Sequence, residues 1–408
     1  MRRFINVSNL VSIAIIAAVA GMVASANWRD GQRSRAQRAA PSPHAPGAGT
    51  TSRQDLEKRI KELEARLAAH PDDVRSAVSL ADALLRVTRV TLNAGLAVGA
   101  EQLLKQALIE DPGNYEAGRT LGALYLSEHR FREAIVVAEK NRAARPYDPI
   151  NYGVTGDGHL ELGEYDQAFD AFDKMMQLRP SAAAYARVAY ARELQGNLKS
   201  AIESMTLAAD ATGADDPEGL AWTDAQLGEL YFQLGRLQDA KLEFAAASQA
   251  FPGHPFAVVG YAKTIAAEGD LQGALNLLLN LARISPTPDL AARIGDLLER
   301  LGRHEEAERQ FALAEAGWRS DVPDPKNLAR FLADHGKADE AVKVAEGAAA
   351  QRGDIFTDDT LAWAYFKAGR IEDAKKTMPL ALRTGTEDRD IRSHAETIAA
   401  ATPRVAAR

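Results

Sequence analysis

The chain has 408 residues, of which 46% are hydrophobic, and it contains no cysteine. Without cysteine it cannot form disulfides, thiolate metal sites or a thiol nucleophile, so its stability must come from packing. Acidic residues outnumber basic ones by 56 to 49, which gives a formal charge of -7. Because such a chain repels phosphate backbones, we expect no nucleic-acid partner.

The N-terminus has the pattern of an export signal. Arg2 and Arg3 follow the initial Met, residues 10–26 are almost entirely apolar, and Ala24-Ser25-Ala26 offers the small residues that a signal peptidase recognises. Residues 1–26 are therefore predicted to be a signal peptide, or a signal anchor if they are not cleaved. An uncleaved segment would tether the protein through residues 10–26. Both outcomes predict an exported protein that is periplasmic, or membrane-anchored and facing the periplasm.

The next segments differ sharply in composition. Residues 27–51 are rich in Ala, Arg, Pro and Gly and have almost no large apolar side chain, so they are predicted to form a disordered linker. Residues 52–71 carry Leu56, Ile60 and Leu63 on one helical face. This stripe predicts a leading helix that covers the structure behind it.

A repeat of about 34 residues organises the rest of the chain. One alanine recurs at spacings of 34, 34, 33, 39, 34, 33, 34 and 33 residues, and a glycine lies five residues before all but the second alanine. The alanines are Ala100, Ala134, Ala168, Ala201, Ala240, Ala274, Ala307, Ala341 and Ala374. Such a period predicts stacked helical hairpins. The glycine suits a left-handed turn between two helices, and the alanine suits their crossing point.

Three units depart from the pattern. His129 replaces the turn glycine of the second unit, and residues 86–93 add length to the first unit, as a longer helix or a loop. The wide spacing before Ala240 is attributed to residues 209–218, which are predicted to form a surface loop because they contain Asp and Gly.

The repeat resembles the tetratricopeptide-repeat (TPR) family. Its best match is Leu227-Gly228, Tyr231, Gly235, Ala240, Phe244 and Pro252. The resemblance implies an all-α, right-handed αα-hairpin solenoid of about nine TPR units with capping helices. The solenoid is expected over residues 72–386, a C-terminal capping helix over residues 387–401, and a tail over residues 402–408. In the family, the first helices of the hairpins line a concave face that binds peptides.

Outward positions of these first helices predict the binding groove. Aromatic anchors are typical of peptide grooves, and the middle units place aromatic and charged residues at these positions. The predicted groove residues are Tyr190, Trp222, Glu229, Phe232, Phe256 and Lys263. Trp222 and Phe256 have an alternative role, since residues near helix starts also pack on the preceding unit. The Lys, Asn and Arg clamp for a C-terminal carboxylate that some family members use is missing, and the acidic centre favours a basic or neutral partner.

No motif in the sequence points to catalysis. Walker, G-x-S-x-G, dinucleotide and EF-hand patterns are absent, and the helix start at His304 has Glu308 where a zinc protease needs a second His. We therefore expect no enzyme activity, no cofactor and no metal site. The sequence predicts a protein- or peptide-binding scaffold in the cell envelope. The alternative is a structural subunit of an envelope assembly machine, for cytochrome c maturation, a pilus, or outer-membrane or polysaccharide export. Residues 63–73 are similar to the entry into the repeats of cytochrome c maturation subunits.

Overall fold

A computed structural model describes residues 53–402, except 92, 94, 214 and 321–324. The predicted signal segment 1–26 and linker 27–51 lie outside the described residues. In the described part the secondary structure is entirely helical, and none of these helices is long and apolar enough to cross a membrane.

The described residues form twenty helices. In chain order these are α1 Arg53–Ala69, α2 Val74–Thr91, α3 Gly95–Glu110, α4 Tyr115–Ser127, α5 Phe131–Ala144, α6 Pro149–Glu161, α7 Tyr165–Leu178, α8 Ala182–Leu194, α9 Leu198–Ala211, α10 Pro217–Gln233, α11 Leu237–Ala250, α12 Pro255–Ala267, α13 Leu271–Ala282, α14 Pro288–Arg300, α15 His304–Ser320, α16 Pro325–Asp334, α17 Ala338–Gln351, α18 Ile355–Lys367, α19 Ile371–Ala381 and α20 Arg389–Ala400.

Nine helical hairpins follow one another in the described chain, from α2–α3 to α18–α19, with α1 before them and α20 after them. Each repeat alanine lies in the second helix of its hairpin and is fully buried, with 0% of its surface exposed from Ala100 to Ala374. A larger side chain at such a position would overpack the helix crossing. The prediction of nine αα-hairpins with capping helices is confirmed.

The turn between the two helices of a hairpin requires a left-handed residue. The glycines from Gly163 to Gly369 that precede the alanines supply it, with φ between 73° and 102°, and His129 adopts φ 58° in the second unit. The first unit differs from the prediction, because Gly95 begins α3 and does not close α2. The added residues lengthen α2, which runs for 18 residues and ends at Thr91.

The predicted surface loop at residues 209–218 is confirmed in its middle, where Gly213 and Asp215 are exposed and not helical, but it is wrong at both ends. Helix α9 continues to Ala211, and α10 begins at Pro217 and runs for 17 residues. Ala209 and Glu218 are 2% and 5% exposed. The reason is a contact that is remote in sequence: Arg89 of α2 forms an ion pair with Glu218, at 2.7 Å. A buried carboxylate needs such a partner, and the lengthened α10 provides the place for it.

Remote contacts of this kind connect distant units at several places. At one of them, Leu56, Val87 and Val90 share an apolar cluster with Phe244 and other residues of α10 to α12. These contacts join units about four repeats apart, so distant units add to the stacking of neighbours that normally holds a solenoid together.

Another remote contact lies between α6–α7 and the start of α18. Arg352 forms an ion pair with Glu161 at 3.0 Å, and the Tyr165 hydroxyl accepts the backbone N–H of Ile355 at 2.9 Å. The turn at Gly163 lies so close to the carbonyl oxygen of Gly353 that a Cβ there would clash with it. This contact therefore depends on a residue without a side chain at Gly163.

Candidate peptide-binding face

One register of the first helices forms a row of charged and aromatic side chains. The residue six positions before each turn glycine lies on the same side of its helix in successive units, since the units repeat. From α6 to α18 these residues are Asp157, Tyr190, Glu229, Lys263, Asp296, Arg330 and Trp363. The row contains three of the six predicted groove residues, and Phe232 lies one turn further along α10.

The centre of the row is a cluster of a cation, a carboxylate and an aromatic ring. The Lys263 Nζ atom lies 2.5 Å from the Glu229 carboxylate and 4.0 Å from the centroid of the Phe232 ring. The side chains of Glu229 and Lys263 keep 36% and 31% of their surface exposed. A cation that lies over a ring while paired with a carboxylate is held in one place. The cluster is therefore ordered and still open to a ligand.

Helix α8 adds a carboxylate that the sequence prediction missed. Glu193 accepts a hydrogen bond from the Gln233 amide at 2.7 Å. Burial raises the pKa of Glu193 to about 7; the hydrogen bond from Gln233 opposes this rise, and the nearby Glu229 adds to it. Glu193 lies three residues after Tyr190, so the helical period could have placed it on the predicted face.

Tyr190 lies deeper than a simple surface anchor. Its ring is partly buried against a cluster that includes Leu160, Leu194 and Ile355. Burial raises the pKa of its hydroxyl well above 10, and the Glu161 and Glu193 carboxylates raise it further. The Tyr190 hydroxyl is therefore neutral at physiological pH.

Trp222 and Phe256 occupy different environments from the central cluster. Trp222 is partly buried against apolar residues that include Ala189 and Met205 of the preceding hairpin, which is the packing role that the sequence left open. Phe256 is 44% exposed, and its ring centroid lies 5.8 Å from that of His254. The structure thus brings Glu229, Phe232 and Lys263 together, and it uses Trp222 between units.

The two ends of the row are occupied by internal contacts. At one end, Asp157 and Arg187 form an ion pair at 2.6 Å. At the other, the Trp363 ring stacks on His394 of the capping helix α20 at 4.0 Å, and its indole N–H donates to Asp334 at 2.7 Å. Trp363 therefore holds the cap in place. The middle of the row is where aromatic and charged groups stay open.

Carboxylates dominate the chemistry of this face. Burial raises the pKa of Glu161 and of Asp296, so both lie where a negative charge is poorly solvated. Within the described ranges, no group of three or more His, Asp or Glu side chains is placed to hold a metal ion. The arrangement offers ion pairing, hydrogen bonding and aromatic contact, which are the interactions of a binding surface.

Comparison with known proteins gives a distant sequence relative and similar folds. No family model matches the chain. The cellulose synthase operon protein C of Pseudomonas fluorescens (strain SBW25) is 24% identical over 248 residues, which are 59% of this chain and 19% of that protein. The chain therefore aligns with about a fifth of the length of the curated relative.

Among solved structures, the human IFIT1 dimer with m7Gppp-AAAA has a TM-score of 0.53 and 13% identity, over 80% of this chain and 76% of that one. TTC0263, a thermophilic TPR protein in Thermus thermophilus, has a TM-score of 0.42 and 22% identity, over 47% of this chain and 99% of that one. At these identities the likeness concerns the fold. The nine hairpins of the described chain, with their buried alanines and left-handed turns, give it the fold of a tetratricopeptide-repeat solenoid.

Proposed function

We propose that this chain is a scaffold that binds a protein or peptide on its first helices, in the cell envelope. The observation that carries the proposal is the cluster of Glu229, Phe232 and Lys263. It combines an ordered charge pair with an aromatic ring in the middle of the row, and the TPR fold supports a protein-binding role. The surrounding carboxylates, Glu193 among them, favour a partner segment that is basic or neutral.

The envelope location is supported by two observations of different kinds. Residues 1–26 have the pattern of an export signal, and the sequence relative is a cellulose synthase operon protein. Fractionation of cells followed by N-terminal sequencing tests this part. A mature protein that begins after Ala26 in the periplasm supports cleavage, and an intact N-terminus in the membrane fraction supports the anchor. Recovery from the cytosol contradicts both.

The second candidate function is that of a structural subunit of an envelope assembly machine. The similarity to cellulose synthase operon protein C favours polysaccharide export over cytochrome c maturation or a pilus. Crosslinking in whole cells, followed by identification of the bound proteins, separates the two functions. A scaffold is expected to capture soluble partners, whereas an assembly subunit is expected to capture the same membrane complex each time.

A pair of variants tests the site itself. Phe232→Ala should weaken binding of the crosslinked partner by about 2 kcal/mol or more, which is about 30-fold in Kd, because aromatic anchors carry much of the energy at such sites. Trp222→Ala should lower the melting temperature as well, because Trp222 packs between hairpins. Leu242→Ala, on the second helix of the same unit and 69% exposed, is the control. Equal affinities for Phe232→Ala and Leu242→Ala would contradict the proposed site.

A further inference from the structure

A large pocket lies at the N-terminal end of the array, among residues that the central cluster does not use. It has a volume of about 780 Å³ and is bounded by α1, α2 and α4. Its floor includes the apolar side chains of Leu56, Val74 and Val78. Four arginines surround this floor, and they are Arg59, Arg75, Arg86 and Arg119.

These arginines keep unused hydrogen-bond donors. Arg59 and Arg75 are exposed, and their side chains have neither a hydrogen bond nor an ion pair with any other described residue. Arg119 pairs with Glu116 at 2.6 Å, but its Nε atom is buried without a hydrogen-bond partner. A guanidinium carries five N–H donors, and a buried donor without an acceptor costs free energy. The pocket therefore has donor capacity that its own residues do not satisfy.

A second pocket of about 570 Å³ shares Arg119 with the first and adds Arg145 and Arg179. Its carboxylate, Asp148, already accepts the Tyr115 hydroxyl at 2.7 Å and the Ile150 N–H at 2.9 Å. The two pockets together contain six arginines against four carboxylates. This local excess of positive charge occurs in a chain whose formal charge is -7.

We propose that the two pockets, called here the arginine groove, bind an extended acidic segment of a protein partner. Its carboxylates would pair with Arg59, Arg75 and Arg119, since guanidinium groups bind carboxylates through paired N–H donors. Its apolar side chains would lie on Val74 and Val78, which are only partly buried. The larger pocket is lined by aliphatic side chains and by no aromatic ring on which a base could stack, which is why a peptide fits better than a nucleic acid.

This inference rests on the proposed protein-binding function but uses different residues. The central cluster lies among carboxylates and suits a basic or neutral segment, whereas the arginine groove suits an acidic one. A partner that engages both would carry segments of opposite charge. Each site can be removed without touching the other, so failure of one proposal is distinguishable from failure of the other.

The test measures binding of a labelled probe to the full chain by fluorescence anisotropy. The probes are a short synthetic peptide of Glu, Leu and Gly, the same peptide with Lys in place of Glu, and a single-stranded RNA oligonucleotide. The acidic peptide should bind most tightly. Arg75→Glu should weaken its binding by about tenfold or more, because it replaces an attraction by a repulsion. Lys199→Glu, an equal change of charge at an exposed position of α9, should leave affinity within about twofold.

Several results would overturn the proposal. Equal loss in Arg75→Glu and Lys199→Glu would mean that only the net charge matters, and tighter binding of RNA or of the Lys peptide would assign the groove to another ligand. Arg75→Gln, which removes the charge without reversing it, should give an intermediate affinity. Unchanged melting temperatures and helical content show that the variants are folded. Phe232→Ala should not affect the acidic probe, and this separates the groove from the central cluster.

Discussion

The carboxyl group of Glu193 gives a prediction about stability that can be worked from the structure. Burial raises its pKa to about 7 from the ordinary value of 4.5. Replacement by Gln removes the charge and keeps the oxygen that accepts the Gln233 amide. Glu193→Gln should therefore stabilise the folded protein at pH values high enough for the buried carboxyl of the wild type to ionise.

The sign and size of the effect follow from proton linkage. A raised pKa in the folded state means that the folded chain keeps its proton when the unfolded chain has lost it, so stability falls as the pH rises from about 4.5 to about 7. At about 1.4 kcal/mol for each pH unit, the full cost above pH 7 is about 3 kcal/mol. Near pH 4.5 the cost is below about 0.5 kcal/mol, because the carboxyl is protonated in the folded state and only half ionised in the unfolded state.

Urea denaturation of the wild type and of Glu193→Gln across this pH range is the assay. The two free energies of unfolding should agree near pH 4.5 and differ by about 2–3 kcal/mol at pH 8, with the variant more stable. Glu203→Gln, at an exposed position of α9 in the same hairpin, should change stability by less than about 0.5 kcal/mol at every pH. A constant gap between Glu193→Gln and wild type at all pH values would refute the reasoning.

Two other predictions concern packing and the remote contact. Gly228→Ala should destabilise the folded protein by about 1–3 kcal/mol, because the new Cβ would lie 2.7 Å from the Phe244 ring. Gly347→Ala, which faces open space within α17, should stabilise the folded protein by up to about 1 kcal/mol, because alanine favours the helix more than glycine does. Equal melting temperatures for the two variants would contradict this prediction. Tyr165→Phe removes the acceptor of the Ile355 N–H and should lower the free energy of unfolding by about 1–3 kcal/mol. Hydrogen exchange at the Ile355 amide should become faster. Unchanged protection of this amide would show that the contact does not form in solution.

The sequence predicted the repeat and its spacing because each repeat position has a local cause. Ala240 must be small at the helix crossing, and Gly235 must adopt a left-handed turn, so both leave a period in the sequence. His129 could be assigned to the turn in the same way. The predictions failed at Gly95 and at both ends of the predicted loop 209–218, where helices lengthen for contacts with distant units.

The candidate site was only partly predictable, again for a physical reason. Outward positions follow from helical periodicity, which is why Glu229, Phe232 and Lys263 were named together. An aromatic residue at an outward position can bind a ligand or pack on the neighbouring hairpin, and the choice depends on which residues it contacts in the folded chain. The structure places Trp222 against the preceding hairpin. The role of Glu193 depends on burial and on Gln233, a partner 40 residues away.

By itself, the sequence determined that the chain is a series of αα-hairpins, because the restrictions on alanine and glycine act within one hairpin and recur in each. Only the tertiary structure decided which distant units meet. The ion pair of Arg89 with Glu218 and the hydrogen bond between Tyr165 and Ile355 join residues 129 and 190 positions apart. Such pairs leave no period in the sequence, since each occurs once and depends on how the stacked units bring distant turns and loops together.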